Sequence, residues 1–81
     1  MSAWFKDEVF PLLLEDAVQI AMGFLERSGE MDDRIETAQF LVHKIRFMMA
    51  HGQHNKLILA NRAISAFQNY RRARTIELSL V

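Results

Sequence analysis

The stretch DRIETAQFLVHKIRFMMAHGQHN, residues 33–55, decides the fold, because it holds a helix together with the signals that begin and end it. Asp33 followed three residues later by Glu36 has the form of a capping box, in which each side chain accepts a backbone N–H that would otherwise be unpaired. Apolar residues then recur at the three- and four-residue spacing of one helix face. They are Ile35, Ala38, Leu41, Val42, Ile45, Met48 and Met49. The stretch predicts a helix over about residues 34–51.

The hexapeptide HGQHNK, residues 51–56, separates this helix from the next apolar run. His51 and His54 lack a third ligand at a convincing spacing, and zinc needs at least three ligands from the protein, so the sequence disfavours a metal site. A DNA-reading turn is also disfavoured, since such helix pairs meet at a wide angle and usually have a short first helix. The favoured interpretation is a helical hairpin, in which Gly52 takes the left-handed conformation that ends one helix and Asn55 caps the next. His51 is then expected to interact with the last carbonyls of its own helix.

Two further helices follow from similar signals. The first is predicted over about residues 11–28, because Pro11 suits a first helical position and Gly29 suits the position after the last. The third is predicted over about residues 55–74, and the tail from residue 75 to 81 is left open between a frayed helix end and a strand. Its inward residues are expected to be Leu57, Ala60, Ala63, Ile64, Phe67 and Tyr70.

The chain is predicted to be one all-α domain over residues 1–81, a three-helix antiparallel bundle with loops of a few residues. The residues before Pro11 are expected to form a short aromatic arm, separate from the first helix, that includes Trp4, Phe5 and Phe10. A domain of this length buries only ~60–65% of its unfolded surface, and the sequence has no cysteine to cross-link it. Stability is therefore expected to come from helix packing and from oligomerisation.

Charge is divided unevenly along the chain, although the net charge is +0. Residues 1–36 carry nine acids and three bases, a charge of −6, whereas residues 37–81 carry seven bases and one acid, a charge of +6. Two interpretations stay open: a basic surface for an anionic partner, or attraction between oppositely charged helices within the bundle or across a dimer. The second is favoured, because a net charge of zero leaves no overall positive charge to drive the binding of a polyanion.

Two aromatic residues of the second helix are not needed for its core stripe. Phe40 and Phe47 are seven residues apart, hence almost in line on the helix, and they are expected to face away from Leu41 and Ile45. Large exposed apolar groups mark surfaces that something else covers. The cover is expected to be either the aromatic arm or a second chain, with a homodimer favoured. The candidate interface residues are Phe40, Phe47, His43, His51, Trp4, Phe5 and Phe10.

The outward face of the third helix offers an alternative site. It combines amides with arginines and has no acid, and these are the side chains that read bases and hold phosphates. The candidate nucleic-acid contacts are Asn61, Arg62, Gln68, Asn69, Arg71, Arg72 and Arg74. An ordinary solvated helix has the same composition, and arginines in a last turn complement the helix dipole without any ligand.

Catalytic and cofactor motifs are absent from the sequence, which has no glycine-rich phosphate loop, no nucleophile elbow and no cysteine. We therefore expect no enzymatic activity, no cofactor and no bound metal. No run approaches the ~18 consecutive apolar residues of a membrane span. The N-terminus also lacks the pattern of a signal peptide, so a cytoplasmic protein is expected.

The segments FLERSGEMDD, residues 24–33, and LANRAI, residues 59–64, resemble stretches of small uncharacterised helical proteins from alpha-proteobacteria. The similarity extends over about residues 17–72. The resemblance implies a bacterial cytoplasmic source, and it transfers no site residues, no cofactor and no function.

Together these features predict a small non-enzymatic helical module for protein–protein interaction or regulation, homodimeric and open to other protein partners. The alternative is a nucleic-acid-associated regulator that uses the basic C-terminal half. The two differ in their expected response to salt, because binding to nucleic acid weakens steeply as salt rises.

Overall fold

Three helices make up the fold. The computed structural model describes the backbone of residues 2–80 and the side chains of residues 12–77. The helices are α1 (Ser2–Arg27), α2 (Arg34–Ala50) and α3 (Lys56–Leu80), and each packs against the other two. No strand occurs within the described backbone. The predicted all-α three-helix bundle is therefore confirmed.

Helix α1 is longer than the sequence predicts, because it begins at Ser2 and runs through Pro11. The separate aromatic arm was therefore a wrong expectation, since residues 2–10 continue α1. A proline lacks the N–H that would bond to the carbonyl four residues earlier, but its φ suits a helix, so the turns on both sides remain helical. The side chains of Trp4, Phe5 and Phe10 lie outside the described part of the structure.

The two interhelical loops begin with the same glycine motif. Gly52 has a φ of 96° and donates its N–H to the carbonyl of Met49 at 3.0 Å, while Gln53 donates to the carbonyl of Met48 at 3.0 Å. This pair of bonds is a Schellman motif, which supplies donors to the last carbonyls of a helix. Gly29, with a φ of 74°, makes the equivalent pair at the end of α1. Both glycines therefore end helices, as the sequence predicts.

The starts of α2 and α3 are capped by the predicted residues. Asp33 Oδ1 accepts the backbone N–H of Glu36 at 3.0 Å, and Asn55 Oδ1 accepts those of Leu57 and Ile58 at 3.0 and 3.1 Å. The capping box is only half formed, because the Glu36 carboxylate accepts hydrogen bonds from α3. The acceptor at each cap satisfies N–H groups that have no partner within the helix.

The core is small and lies along one stripe of each helix. Among residues 12–77, its buried apolar residues are Ala17, Ala21, Leu25, Leu41, Ile45, Met48, Leu59, Ala60, Ala63, Ile64 and Phe67. Ile35 and Leu57 were expected to face inward, and the structure exposes both. Each lies in the first turn of its helix, where helical spacing continues but the neighbouring helix offers little to pack against.

Helices α1 and α3 run in the same direction with α2 antiparallel between them, and their ends are offset. The buried residues of α1 centre on Ala21 and those of α3 on Ala63, so these two residues lie at about the same level. Nineteen residues of α1 precede Ala21 and seventeen of α3 follow Ala63, which at 1.5 Å per residue predicts a length of about 54 Å. The long dimension of the molecule is 55 Å. The two helices therefore project beyond the bundle at opposite ends.

Candidate interaction surface

Phe40 packs against its own chain, which corrects the expectation that it faces away from the core. Its ring lies edge-on to Phe67, with the centroids 5.5 Å apart, and stacks on Tyr70 at 5.1 Å. Phe40 is half-buried and packs against the core. The physical reason is its position one residue before the buried Leu41, which turns it toward α3.

Phe47 lies two turns further along the same side of α2 and remains exposed, with 54% of its surface accessible. Because α2 and α3 are antiparallel, a position seven residues later on α2 lies level with a position seven residues earlier on α3. Phe40 lies beside Phe67 and Tyr70, so Phe47 lies level with Ala60 and Ala63. Alanines cannot reach the Phe47 ring. The side chains of residues 2–10, which the sequence offers as its cover, lie outside the described part of the structure.

Two polar side chains contact the Phe47 ring. The His51 ring lies 4.3 Å from it between centroids, and Lys44 Nζ lies 5.7 Å from its centroid in a cation–π contact. His51 Nδ1 donates a hydrogen bond to the carbonyl of Phe47 at 2.8 Å, which places the ring proton on Nδ1 because a carbonyl can only accept. The expected role of His51 at the end of its helix is confirmed.

In the described part of the chain, no three His, Cys, Asp or Glu side chains lie close enough together to hold a metal ion. His43 lies exposed on the outer face of α2.

A shallow depression of about 530 Å³ lies on the outer surface of α2. Apolar and polar side chains line it, namely Ala38, Gln39, Val42, His43, Arg46 and Phe47. We call it the α2 depression. Arg46 is a component that the sequence analysis did not single out, although its spacing of four from Val42 places both on one face of the helix.

Three of the seven candidate nucleic-acid contacts are held by acids of the same chain. The contacts are Gln68 Nε2 to Glu30 Oε1 at 3.1 Å, Arg71 Nη2 to Asp32 Oδ2 at 2.8 Å and Arg74 Nη1 to Glu36 Oε1 at 2.8 Å. Lys56 Nζ also lies 3.7 Å from Asp16 Oδ2. These pairs join the acidic first part of the chain to the basic second part, as attraction between helices within the bundle predicts.

The remaining four candidates, Asn61, Arg62, Asn69 and Arg72, are exposed along α3. Arg72 Nη1 donates to Asn69 Oδ1 at 3.4 Å. Within residues 12–77 no carboxylate forms an ion pair with Arg62 or Arg72. The basic surface available to an anion is therefore narrower than the sequence predicts.

A cleft of about 370 Å³ lies where α3 passes the start of α2, and charged pairs cross it. Arg71 also lines a second depression, together with Glu30 and Gln68. There, hydrogen bonds from the Ser28 hydroxyl and the Gln68 amide, together with the charge of Arg71, hold the pKa of Glu30 below its ordinary value of 4.5. Each of these groups favours the charged carboxylate. The cleft is thus occupied by the protein's own ion pairs, and its chemistry is that of a structural contact between loop and helix.

Comparison with known proteins yields no relative: no protein-family model, no curated protein and no solved structure matches the chain. Within the described residues, none of the helices combines the length and apolar character that crossing a membrane requires.

Proposed function

We propose that the protein is a small helical interaction module, which acts by binding and not by catalysis, and which forms a homodimer through the outer surface of α2. The observation that carries the proposal is Phe47, 54% exposed at the edge of the α2 depression. A phenylalanine gains ~1.5–3 kcal/mol on burial. More than half of its surface is exposed, and a second chain is the cover that the proposal requires.

The composition of this surface also supports binding to protein. Apolar and aromatic groups surrounded by polar ones are typical of interface cores with a polar rim. Val42 and Phe47 supply the apolar part, and Lys44, Arg46 and His43 stand around it. A homodimer is the simplest assembly for such a surface, because most soluble oligomers are symmetric dimers of one chain.

The test is sedimentation velocity across a concentration series up to several hundred micromolar. Wild-type protein is expected to sediment as a dimer, and Phe47→Asp as a folded monomer, since a buried charge would have no partner in the interface. Ile76→Asp is the matched control, because Ile76 is 55% exposed and lies on the projecting end of α3. A wild-type protein that stays monomeric throughout the series would rule the proposal out.

A nucleic-acid-associated regulator is the second candidate, supported by the two arginines of α3, Arg62 and Arg72, that form no ion pair in the described part of the chain. Its test is the affinity for a random-sequence duplex as salt is raised. A steep loss of affinity with salt, together with weaker binding by Arg62→Ala, would favour this candidate over the interaction module.

The bacterial cytoplasmic setting, the absence of catalysis and the existence of other protein partners stay predictions from the sequence.

A further inference from the structure

The outer surface of α1 complements the outer surface of α2 in charge. Leu12, Glu15, Gln19 and Glu26 are exposed and recur at the spacing of one helix face. From residue 7 to residue 26 the chain has acids and no base. Between residues 37 and 76 it has bases and no acid, so beyond its first turn α2 is basic.

The contacts of each helix show that these two surfaces lie side by side. On α1, Glu26 forms an ion pair with Arg34 of α2 at 3.5 Å, and so the Glu26 side of α1 borders α2. On α2, Phe40 and Val42 flank the buried Leu41 on opposite sides, and Phe40 contacts α3. The Val42 side therefore borders α1. The face of the molecule opposite α3 thus carries the exposed acids Glu15 and Glu26 of α1 beside Arg46 of α2, with Phe47 at the far edge of the α2 depression.

Two copies that meet through this face have two symmetric arrangements. A two-fold axis across the helices would lay α1 on α1 of the partner subunit, acid against acid. A two-fold axis parallel to the helices lays α1 on α2 of the partner subunit, acid against base, and does so twice. Like charges placed opposite each other oppose association, whereas complementary ones favour it. Both arrangements close the assembly at two subunits, so the charges are what distinguish them.

We propose that the occupant of the α2 depression is a second copy of this chain, docked through the face of its α1 that carries Glu15 and Glu26, with the two-fold axis parallel to the helices. This inference rests on the proposed homodimer and names the partner surface and the charges that set its geometry.

The height of each residue along the helix axis identifies which charged residues of the two subunits would pair. The buried residues of α1 centre on Ala21, and those of α2 centre midway between Leu41 and Ile45. An axis parallel to the helices leaves these levels unchanged, so Arg46 of one subunit lies level with residue 18 of the partner's α1. Its neighbours there are the partner's Glu15 and the partner's Gln19. At 1.5 Å per residue, Glu15 of the partner subunit is about 5 Å away along the axis, within reach of an arginine.

The size of the face suits a modest dimer. The molecule is 24 Å across, and the seventeen residues of α2 are about 25 Å long at 1.5 Å per residue. Each subunit therefore contributes roughly 600 Å², and the pair about 1,200 Å², which is the lower end of the range for specific interfaces. An interface of this size, with charge at its centre, is expected to dissociate at low micromolar concentrations and to weaken with salt.

The test reverses the two charges separately and then mixes the variants. In an Arg46→Glu dimer, the new carboxylate faces Glu15 of the partner subunit at both symmetric contacts. In a Glu15→Lys dimer, the new ammonium group faces Arg46 of the partner subunit at both contacts. Each variant alone is therefore expected to dimerise at least about tenfold more weakly than wild type. In a mixture of the two, each subunit presents the charge that the other lacks, and heterodimers are expected to form with near wild-type affinity. Arg62→Glu is the matched control, an exposed arginine on α3 that is expected to leave the dimer unchanged.

Sedimentation equilibrium gives the dissociation constants, and circular dichroism shows that every variant keeps its helical content. Wild-type dimers that Arg46→Glu weakens no more than Arg62→Glu does would overturn the docking geometry while leaving the homodimer in place. The same holds if the mixed variants fail to recover affinity. Wild-type protein that is monomeric would instead overturn the homodimer itself.

Discussion

Thr37 is the buried polar side chain of the described core, and it is buried at little cost because it has a partner at hand. Its hydroxyl donates to the carbonyl of Asp33 at 2.6 Å, one helical turn earlier. A buried hydroxyl without a partner would be destabilising, so this local bond allows α2 to bury a threonine beside Leu41. The same residue, Asp33, also caps α2 with its side chain.

At the scale of single residues, Asp33→Ala is expected to lower the free energy of unfolding by about 1 kcal/mol, since an N-cap loses its acceptor. Asp32→Ala is the matched control, because its ion pair with Arg71 is exposed and such pairs are typically worth ~0–1 kcal/mol. Urea denaturation of both variants measures the difference. Equal losses would show that Asp33 contributes no more than a surface charge.

Helices α1 and α2 end where a glycine adopts a positive φ, and the spacing of apolar residues does not set these ends. Gly29 and Gly52 both have positive φ, and a Cβ built at either would meet no atom within 4 Å. The need for glycine there is therefore conformational and not steric. Gly23 is different, since it lies within α1 and its Cβ would make an ordinary contact with Arg27 Nη1 at 3.5 Å.

At the scale of the elements, alanine substitution is expected to have opposite signs at these glycines. Gly52→Ala should destabilise the protein by about 1 kcal/mol, because an L-residue resists positive φ. Gly23→Ala should stabilise it by ~0.5–1 kcal/mol, because alanine loses less backbone entropy in a helix. Thermal unfolding monitored by circular dichroism gives both shifts. A lower melting temperature for Gly23→Ala would indicate that α1 requires a residue without a side chain at this position.

The whole molecule is elongated because α1 and α3 run parallel with their ends offset. Its extents are 55 × 24 × 19 Å, although α2 accounts for only about 25 Å of the length. The proposed two-fold axis parallel to the helices would set the projecting ends of α1 from both subunits at the same end of the dimer. These ends comprise residues 2–10 of α1.

At the scale of the whole molecule, small-angle X-ray scattering distinguishes the arrangements. The proposed side-by-side dimer should keep a maximum dimension close to that of the monomer and increase only in thickness. Association through the projecting helix ends would nearly double the maximum dimension. A long dimer would therefore contradict docking through the α1–α2 face.

The sequence by itself determined the elements that depend on neighbours along the chain: the cap at Asp33, the turn at Gly52 and the stripes that fill the core. These are local, since a cap or a left-handed turn involves atoms only a few residues apart. The sequence did not determine where α1 begins, because Pro11 is compatible with both a first turn and a helix interior.

Only the tertiary structure decided which aromatic of α2 is exposed. Phe40 and Phe47 are equivalent by helical spacing, and what separates them is the side chains that α3 presents at each level, an aromatic pair beside one and alanines beside the other. It likewise decided that Arg71 and Arg74 pair with acids of the loop and α2. Both outcomes depend on the register between helices distant in sequence, which the packing of the whole core sets and no local pattern contains.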